Sequence, residues 1–158
     1  MAGQRRVANK RVARKRIVEV GSLVANLPEA LLHDISVDAR RWVTVAGPPG
    51  SSRYVQVLTV DGALRVEVSS NRFLEASDLL SEAEESVLTD LGFAPPDDEG
   101  WACNWWWIGE GPEGCLAASS LIAEVVFEVF GVPLGFPLVL DRFSTLPPGS
   151  RAGTFRSS

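Results

Sequence analysis

The chain has 158 residues, 46% of them hydrophobic, and a net charge of −5. These values fit one ordinary folded domain with its own core, and no apolar run approaches the roughly 20 residues that span a bilayer. One histidine and two cysteines, Cys103 and Cys115, are too few for a disulfide scaffold or a zinc site and leave little for metal or acid–base chemistry, so no metal is expected and both thiols are read as reduced and buried.

The charge is divided sharply along the chain. Arg5, Arg6, Lys10, Arg11, Arg14, Lys15 and Arg16 place seven of the 15 basic residues in the first 16 positions, and all 20 acids lie beyond them. Residues 1–16 therefore read as a basic N-terminal arm that extends a helix into the adjoining segment, since RRVANKRVARKRIVEV contains no Gly or Pro. A basic arm on an acidic body suits nucleic acid, an anionic membrane or an acidic partner surface; a solvated or self-associating tail is the plainer reading. The basic start is not followed by an apolar stretch of the secretory kind, so a cytoplasmic location is expected.

Residues 17–140 read as a single domain. A helix is predicted from Pro28 to Arg41, with Pro28 in its first turn and Leu31, Leu32 and Ile35 as its apolar stripe; His33 is a partly exposed helix residue. Trp42 to Ala46 is predicted as a strand that ends at GPPGSS. That loop is glycine-rich but lacks the Lys of a phosphate-binding loop. Asp61-Gly62 between YVQVLTV and ALRVEVS is the strongest hairpin signal in the chain, and a two-residue turn pairs Val57 with Val66, Val55 with Val68 and Thr59 with Leu64. Those residues form the core face. The opposite face carries Tyr54, Gln56, Leu58, Val60, Ala63, Arg65, Glu67 and Ser69, a mixture open to solvent, a partner or another subunit.

After SSNRFL, Ser81 and Glu84 have capping-box spacing at the start of a helix over 81–91, with Gly92 at its left-handed cap and Pro95-Pro96 preventing continuation. Asn71 is read as bonding to backbone at a turn. Cys103 to Ile108 is predicted as a strand, GEGPEG as a turn, and Leu116 to Phe130 as a helix that is apolar except for Ser120, Glu124 and Glu128 and so must be covered on most sides. VPLGFPLVL is read as extended. Residues 141–158, rich in Pro, Gly, Ser and Arg, are read as a disordered C-terminal tail.

In the strand, Trp105 and Trp107 share one face and Trp106 takes the other. Aromatic bulk on both faces, with Trp101 on the adjoining loop, points either to a core enclosed by helices or to a groove or dimer interface. Asn104 either bonds locally or fixes the backbone of a bound peptide, and Arg65 and Arg72 form intramolecular ion pairs or meet an acidic partner.

The order of the hairpin, EVSSNRFL, a helix opening with LS and closing with LGF, a PP turn, the NW strand and FGVP resembles the peptide-binding chaperone-like domains grouped with YbjN and with type III secretion chaperones such as CesT. The resemblance covers about residues 40–140. It implies an α+β fold with an antiparallel sheet flanked by helices, frequent homodimers, a bacterial source, no cofactor and binding of polypeptide segments.

The leading expectation is a non-enzymatic chaperone-like module that binds a protein or peptide client through a sheet edge or an aromatic groove, with Tyr54, Leu58, Arg65, Trp101, Asn104, Trp105, Trp106 and Trp107 as the candidate partner-binding residues. The alternative is a regulatory adaptor whose basic arm contacts nucleic acid or anionic membrane. Catalysis is the weakest reading, because only carboxylates such as Glu67, Glu75 and Asp78 are available for acid–base work.

Overall fold

A computed structural model describes residues 14–36, 41–60, 62–97, 99 and 102–145. Six strands form one antiparallel sheet: β1 (Arg14–Glu19), β2 (Arg41–Gly47), β3 (Val55–Val60), β4 (Ala63–Val68), β5 (Trp105–Glu110) and β6 (Pro137–Thr145), in the spatial order β1-β6-β2-β3-β4-β5. Three helices join them, α1 (Val20–Ser36), α2 (Glu82–Asp90) and α3 (Gly111–Glu124), the last running on into a π turn at Val125–Val129. The fold is α+β, as the motif order implied.

Alternation of side chains across the paired strands builds the core in rows. Leu140, Ala46, Val55, Val68 and Trp105 are successive register partners, and Arg142, Thr44, Val57, Val66 and Trp107 form the next row. Helices α1 and α3 pack side by side over this face. They contribute Leu23, Leu27 and Leu31 from α1, and Cys115, Ala118 and Ile122 from α3, to one buried cluster. The hairpin register is the one read from Asp61-Gly62, with Val57 opposite Val66 and Thr59 opposite Leu64, and Gly62 takes the left-handed conformation that the turn requires, φ 80°.

The capped helix also follows its sequence. Ser81 Oγ accepts a bond from the Glu84 N–H and Glu84 Oε1 accepts one from the Ser81 N–H, both at 3.1 Å, and Gly92 follows with φ 98°. Arg53 then ties this part of the chain together. Its guanidinium donates to Glu84 (2.6 Å), to the Asp78 carbonyl (2.8 Å), to the Leu79 carbonyl (2.9 Å) and to the Val129 carbonyl in the π turn (3.0 Å).

Two carboxylates in this network have depressed pKa values. Asp78 is lowered mainly by the Ser52 backbone N–H and then by the Ser52 hydroxyl, both at 2.7 Å. For Glu84, burial works upward, but the bonds from Arg53 and from the Ser81 backbone, with the Arg53 charge, bring it below its ordinary value of 4.5. Because the folded values lie below the unfolded ones, this stabilisation is complete above 4.5 for Glu84 and 3.8 for Asp78, and is lost as pH falls through the lower folded values. Urea unfolding midpoints are expected to hold near neutrality and fall below about pH 4. Glu84→Gln should flatten that acid limb, and an unchanged limb would remove Glu84 from the account.

Several sequence expectations need correction. Residues 14–16 are not part of a helical arm: RKRIVE is a strand that pairs with β6, from Arg14 opposite Arg142 to Glu19 opposite Pro137. Residues 141–145 are not a tail: they continue β6, which lies inside the sheet between β1 and β2. Arg5, Arg6, Lys10 and Arg11, and the tail expectation for 146–158, lie outside the described residues. Helix α1 begins at Val20, not Pro28, because Val20, Leu23, Leu27, Leu31 and Asp34 form its buried stripe, and that burial outweighs the backbone bond lost at the interior Pro28. GEGPEG is not a turn between elements. Gly109 and Glu110 finish β5, and Gly111-Pro112 open α3, with proline in its first turn. Helix α3 is also less enclosed than its composition implied, with Leu116 and Phe127 exposed. Ser69, assigned to the mixed face, is fully buried. Cys115 is buried as expected but Cys103 is exposed, and no disulfide joins them.

Candidate functional site

The two ends of the sheet differ in what they offer a partner. At β5, the Trp106 N–H and carbonyl face outward and are already occupied: Ala94 N–H donates to Trp106 (2.9 Å) and Trp106 N–H donates back (3.1 Å). Ala94, just before Pro95-Pro96, thus bridges to that edge at one position. At β1, the Val20 N–H bond to the Phe136 carbonyl (3.1 Å) sets the phase of the ladder. With Val18 opposite Leu138 and Arg16 opposite Leu140, the even-numbered residues exchange bonds with β6, and the backbone groups of Lys15 and Ile17 point away from the sheet. Among the described residues, β1 has only β6 as a neighbour in the sheet order. Ile17 is 70% exposed beside that edge.

Beneath the same edge, α1 and the sheet enclose a pocket of about 370 Å³. Leu23, Leu27 and Leu140 line it as buried residues, together with half-buried Val18, and Arg16, Ser22, Asn26 and His33 are its exposed lining. Thr44 and Arg142 close the inner end. The Arg142 guanidinium donates to both oxygens of the buried Asp34 carboxylate, one at 2.7 Å, and to the Thr44 hydroxyl at 3.3 Å, and lies 4.6 Å over the Trp42 ring. This buried ion pair fastens α1 to β6. The Cys115 thiol nearby is pushed up by burial and then by the Asp34 charge, which makes it a poor nucleophile.

The tryptophan strand divides as its alternation predicted. Trp105 is 6% exposed in the core, and Trp107 packs against the core from the same side. The Trp107 ring lies over Gly109, where any Cβ would collide with it, so glycine makes the room for the indole. Trp106 takes the opposite face, half-buried, with the Arg65 guanidinium 5.2 Å from its ring centroid. Glu67 accepts from Arg65 at 3.1 Å and also from the Gln56 amide, so Arg65 is engaged in an intramolecular pair. Half-buried Leu58 is the register partner of Arg65 on that same face.

Tyr54 and Asn104 are brought together, but by each other. Asn104 Nδ2 donates to the Tyr54 hydroxyl (3.0 Å), Asn104 Oδ1 accepts from the Ser70 N–H (3.2 Å), and Ser70 Oγ donates to the Cys103 carbonyl (2.6 Å). Asn71 closes the next loop by exchanging bonds with the Leu80 backbone, at 2.7 and 3.1 Å. The SSN and NW motifs therefore form a polar corner, with Ser69, Ser70 and Asn104 buried, that fixes β4 to β5, the local role expected for a satisfied network. Trp101 lies outside the described residues. Among the described residues, no group of His, Cys, Asp and Glu is placed to hold a metal ion, and no helix is long and apolar enough to cross a membrane.

The edge and its pocket draw on residues that the sequence did not single out: Ile17, Val18, Leu23, Leu27, Asp34 and Arg142. The four-residue spacing of Leu23, Leu27 and Leu31 was the available signal.

A protein-family model described as T3SS (YopN, CesT) and YbjN peptide-binding chaperone 3 matches residues 25–144. No match was found among curated proteins or among solved structures. Strand β1 precedes the matched residues.

Proposed function

The chain belongs to the family of T3SS (YopN, CesT) and YbjN peptide-binding chaperones, and from that premise we propose that it is a non-enzymatic module that holds an extended segment of a client protein along the β1 edge. The observation that carries this reading is the contrast between the two sheet ends: Ala94 occupies the outward groups of Trp106 on β5, whereas those of Lys15 and Ile17 on β1 point away from the ladder. Strand addition takes its affinity from main-chain hydrogen bonds and its selectivity from alternate side chains. The aromatic-groove mode has less support, because Trp105 and Trp107 face the core and only Trp106 faces outward.

The phase of the edge gives a sharp test. Proline at position 17 removes an N–H that no described strand uses and places its ring where an added strand would lie. Ile17→Pro is expected to keep the unfolding midpoint close to that of the parent and to abolish capture of peptides from an array of extended twelve-residue segments. Val18→Pro instead removes the donor to the buried Leu138 carbonyl and should cost on the order of 1–3 kcal/mol. Amide exchange read residue by residue supplies the position: the Ile17 amide should be protected only when peptide is bound. A folded Ile17→Pro protein that captures peptides as the parent does would sink the edge reading.

A second copy of the chain is the other occupant with specific support. Antiparallel pairing of two β1 strands about Ile17 sets Ile17 against its own copy and brings Lys15 opposite Glu19 in both directions, a self-complementary register. In that reading homodimer and client compete for one edge. Sedimentation of the parent and of Ile17→Pro distinguishes them, since only a β1-paired dimer is lost in the variant.

A further inference from the structure

We infer that the pocket between α1 and β1 selects the client, taking one bulky aliphatic or aromatic side chain from a strand that carries an acidic residue two places away on the same face; this rests on the edge reading proposed above. The register supplies the first argument. Arg16 and Val18, both even-numbered in β1, line the pocket, while Ile17 between them takes the opposite face. An added strand continues that alternation, so the residues flanking the one opposite Ile17 are delivered to the pocket side. Backbone pairing and side-chain reading are then two consequences of a single docking event.

The lining supplies the second argument. The pocket holds about 370 Å³, within the range of roughly 300–1,000 Å³ that is usual for ligand sites. Its walls are Val18, Leu23, Leu27 and Leu140. At the inner end the Arg142 charge is already matched by Asp34, which accepts at both oxygens, and Thr44 takes a third bond. A buried anion would find its cation engaged there, whereas an apolar group removes the lining from water at no electrostatic cost.

Charge at the mouth supplies the third. Arg16 is exposed on the pocket lining, and β1 reads RKRIVE, three cations to one acid. An acidic residue two places from the inserted side chain shares its face and falls opposite Arg16, while a lysine there is repelled. The client class is thus an extended segment with one large apolar residue and a carboxylate two places from it.

The experiment uses the full chain and a library of fluorescein-labelled twelve-residue peptides with a fixed Thr/Val alternation. The central residue is Leu, Phe or Gly, and its same-face flanks, the residues two places to either side, are Glu or Lys. Binding is read by anisotropy. A central Leu or Phe is expected to bind about 10- to 100-fold more tightly than Gly, the factor for burying one such side chain. Glu flanks should outbind Lys flanks several-fold at low salt, with the gap closing at high salt. Arg16→Glu, at an exposed position, should invert the flank preference, and Ala30→Trp, which fills the pocket from α1, should erase the Leu-over-Gly preference. Peptides that bind, are released by Ile17→Pro, and yet show no preference for Leu over Gly would overturn the pocket inference and leave the edge reading intact. Binding indifferent to Ile17→Pro, or no binding across the library, would overturn both.

Discussion

Arg142→Ala is expected to destabilise the protein by about 3–5 kcal/mol, the cost of leaving a buried carboxylate without its partner. The Asp34 side chain is 1% exposed, and the Arg142 guanidinium contacts both of its oxygens. His33 approaches the same carboxylate at 3.6 Å, but it is an exposed imidazole and a weak substitute. The variant also loses the guanidinium stacked on Trp42, worth about 0.5–2 kcal/mol. Since this pair joins α1 to β6, urea unfolding should show a large drop in midpoint. The paired replacement Asp34→Leu with Arg142→Met should recover most of it, because a well-packed apolar pair avoids the desolvation of two charges. A loss below about 1 kcal/mol in the single variant, the range of a solvated surface pair, would show that the carboxylate is hydrated rather than buried.

The second large effect separates adjacent tryptophans. Trp105→Ala removes an indole that is 6% exposed and should cost about 3–5 kcal/mol, as for other buried aromatic truncations. Trp106→Ala removes a half-buried ring whose best-defined contact is Arg65, worth about 0.5–1 kcal/mol at an exposed site. Thermal and urea unfolding of the two proteins, side by side, measure the difference. Equal losses would mean that the alternation of β5 has been assigned to the wrong faces.

These residues also show which parts of the fold were legible in the sequence. The hairpin register and the capped helix were readable because their determinants are local: Asp61-Gly62 sets one, and Ser81, Glu84 and Gly92 set the other. The alternation of Trp105, Trp106 and Trp107 was equally local. Whether those rings required a second polypeptide was not, since the answer lies in α3 packing on β5 and in Gly109 yielding space to Trp107. The sheet end that carries the candidate site was the least legible. RKRIVE looked like an arm because three of its six residues are cations, and DRFST looked like a tail because of its company of Pro, Gly, Ser and Arg. Each becomes a strand through the other, across more than a hundred residues of chain, with Arg142 made tolerable by Asp34. Pairings of that separation leave no signature in either segment alone.

Strand β1 ends at Glu19 and helix α1 begins at Val20, with no residue between them, and the junction is pinned to the other end of the chain by Val20 and Gly21 bonding to the Phe136 and Leu134 carbonyls. Such a splice has no slack. A twist imposed on the strand is delivered to the helix as a tilt, so whatever grips the rim of the molecule also turns the wall beside it, and the helix can serve as the pointer on which that grip is read.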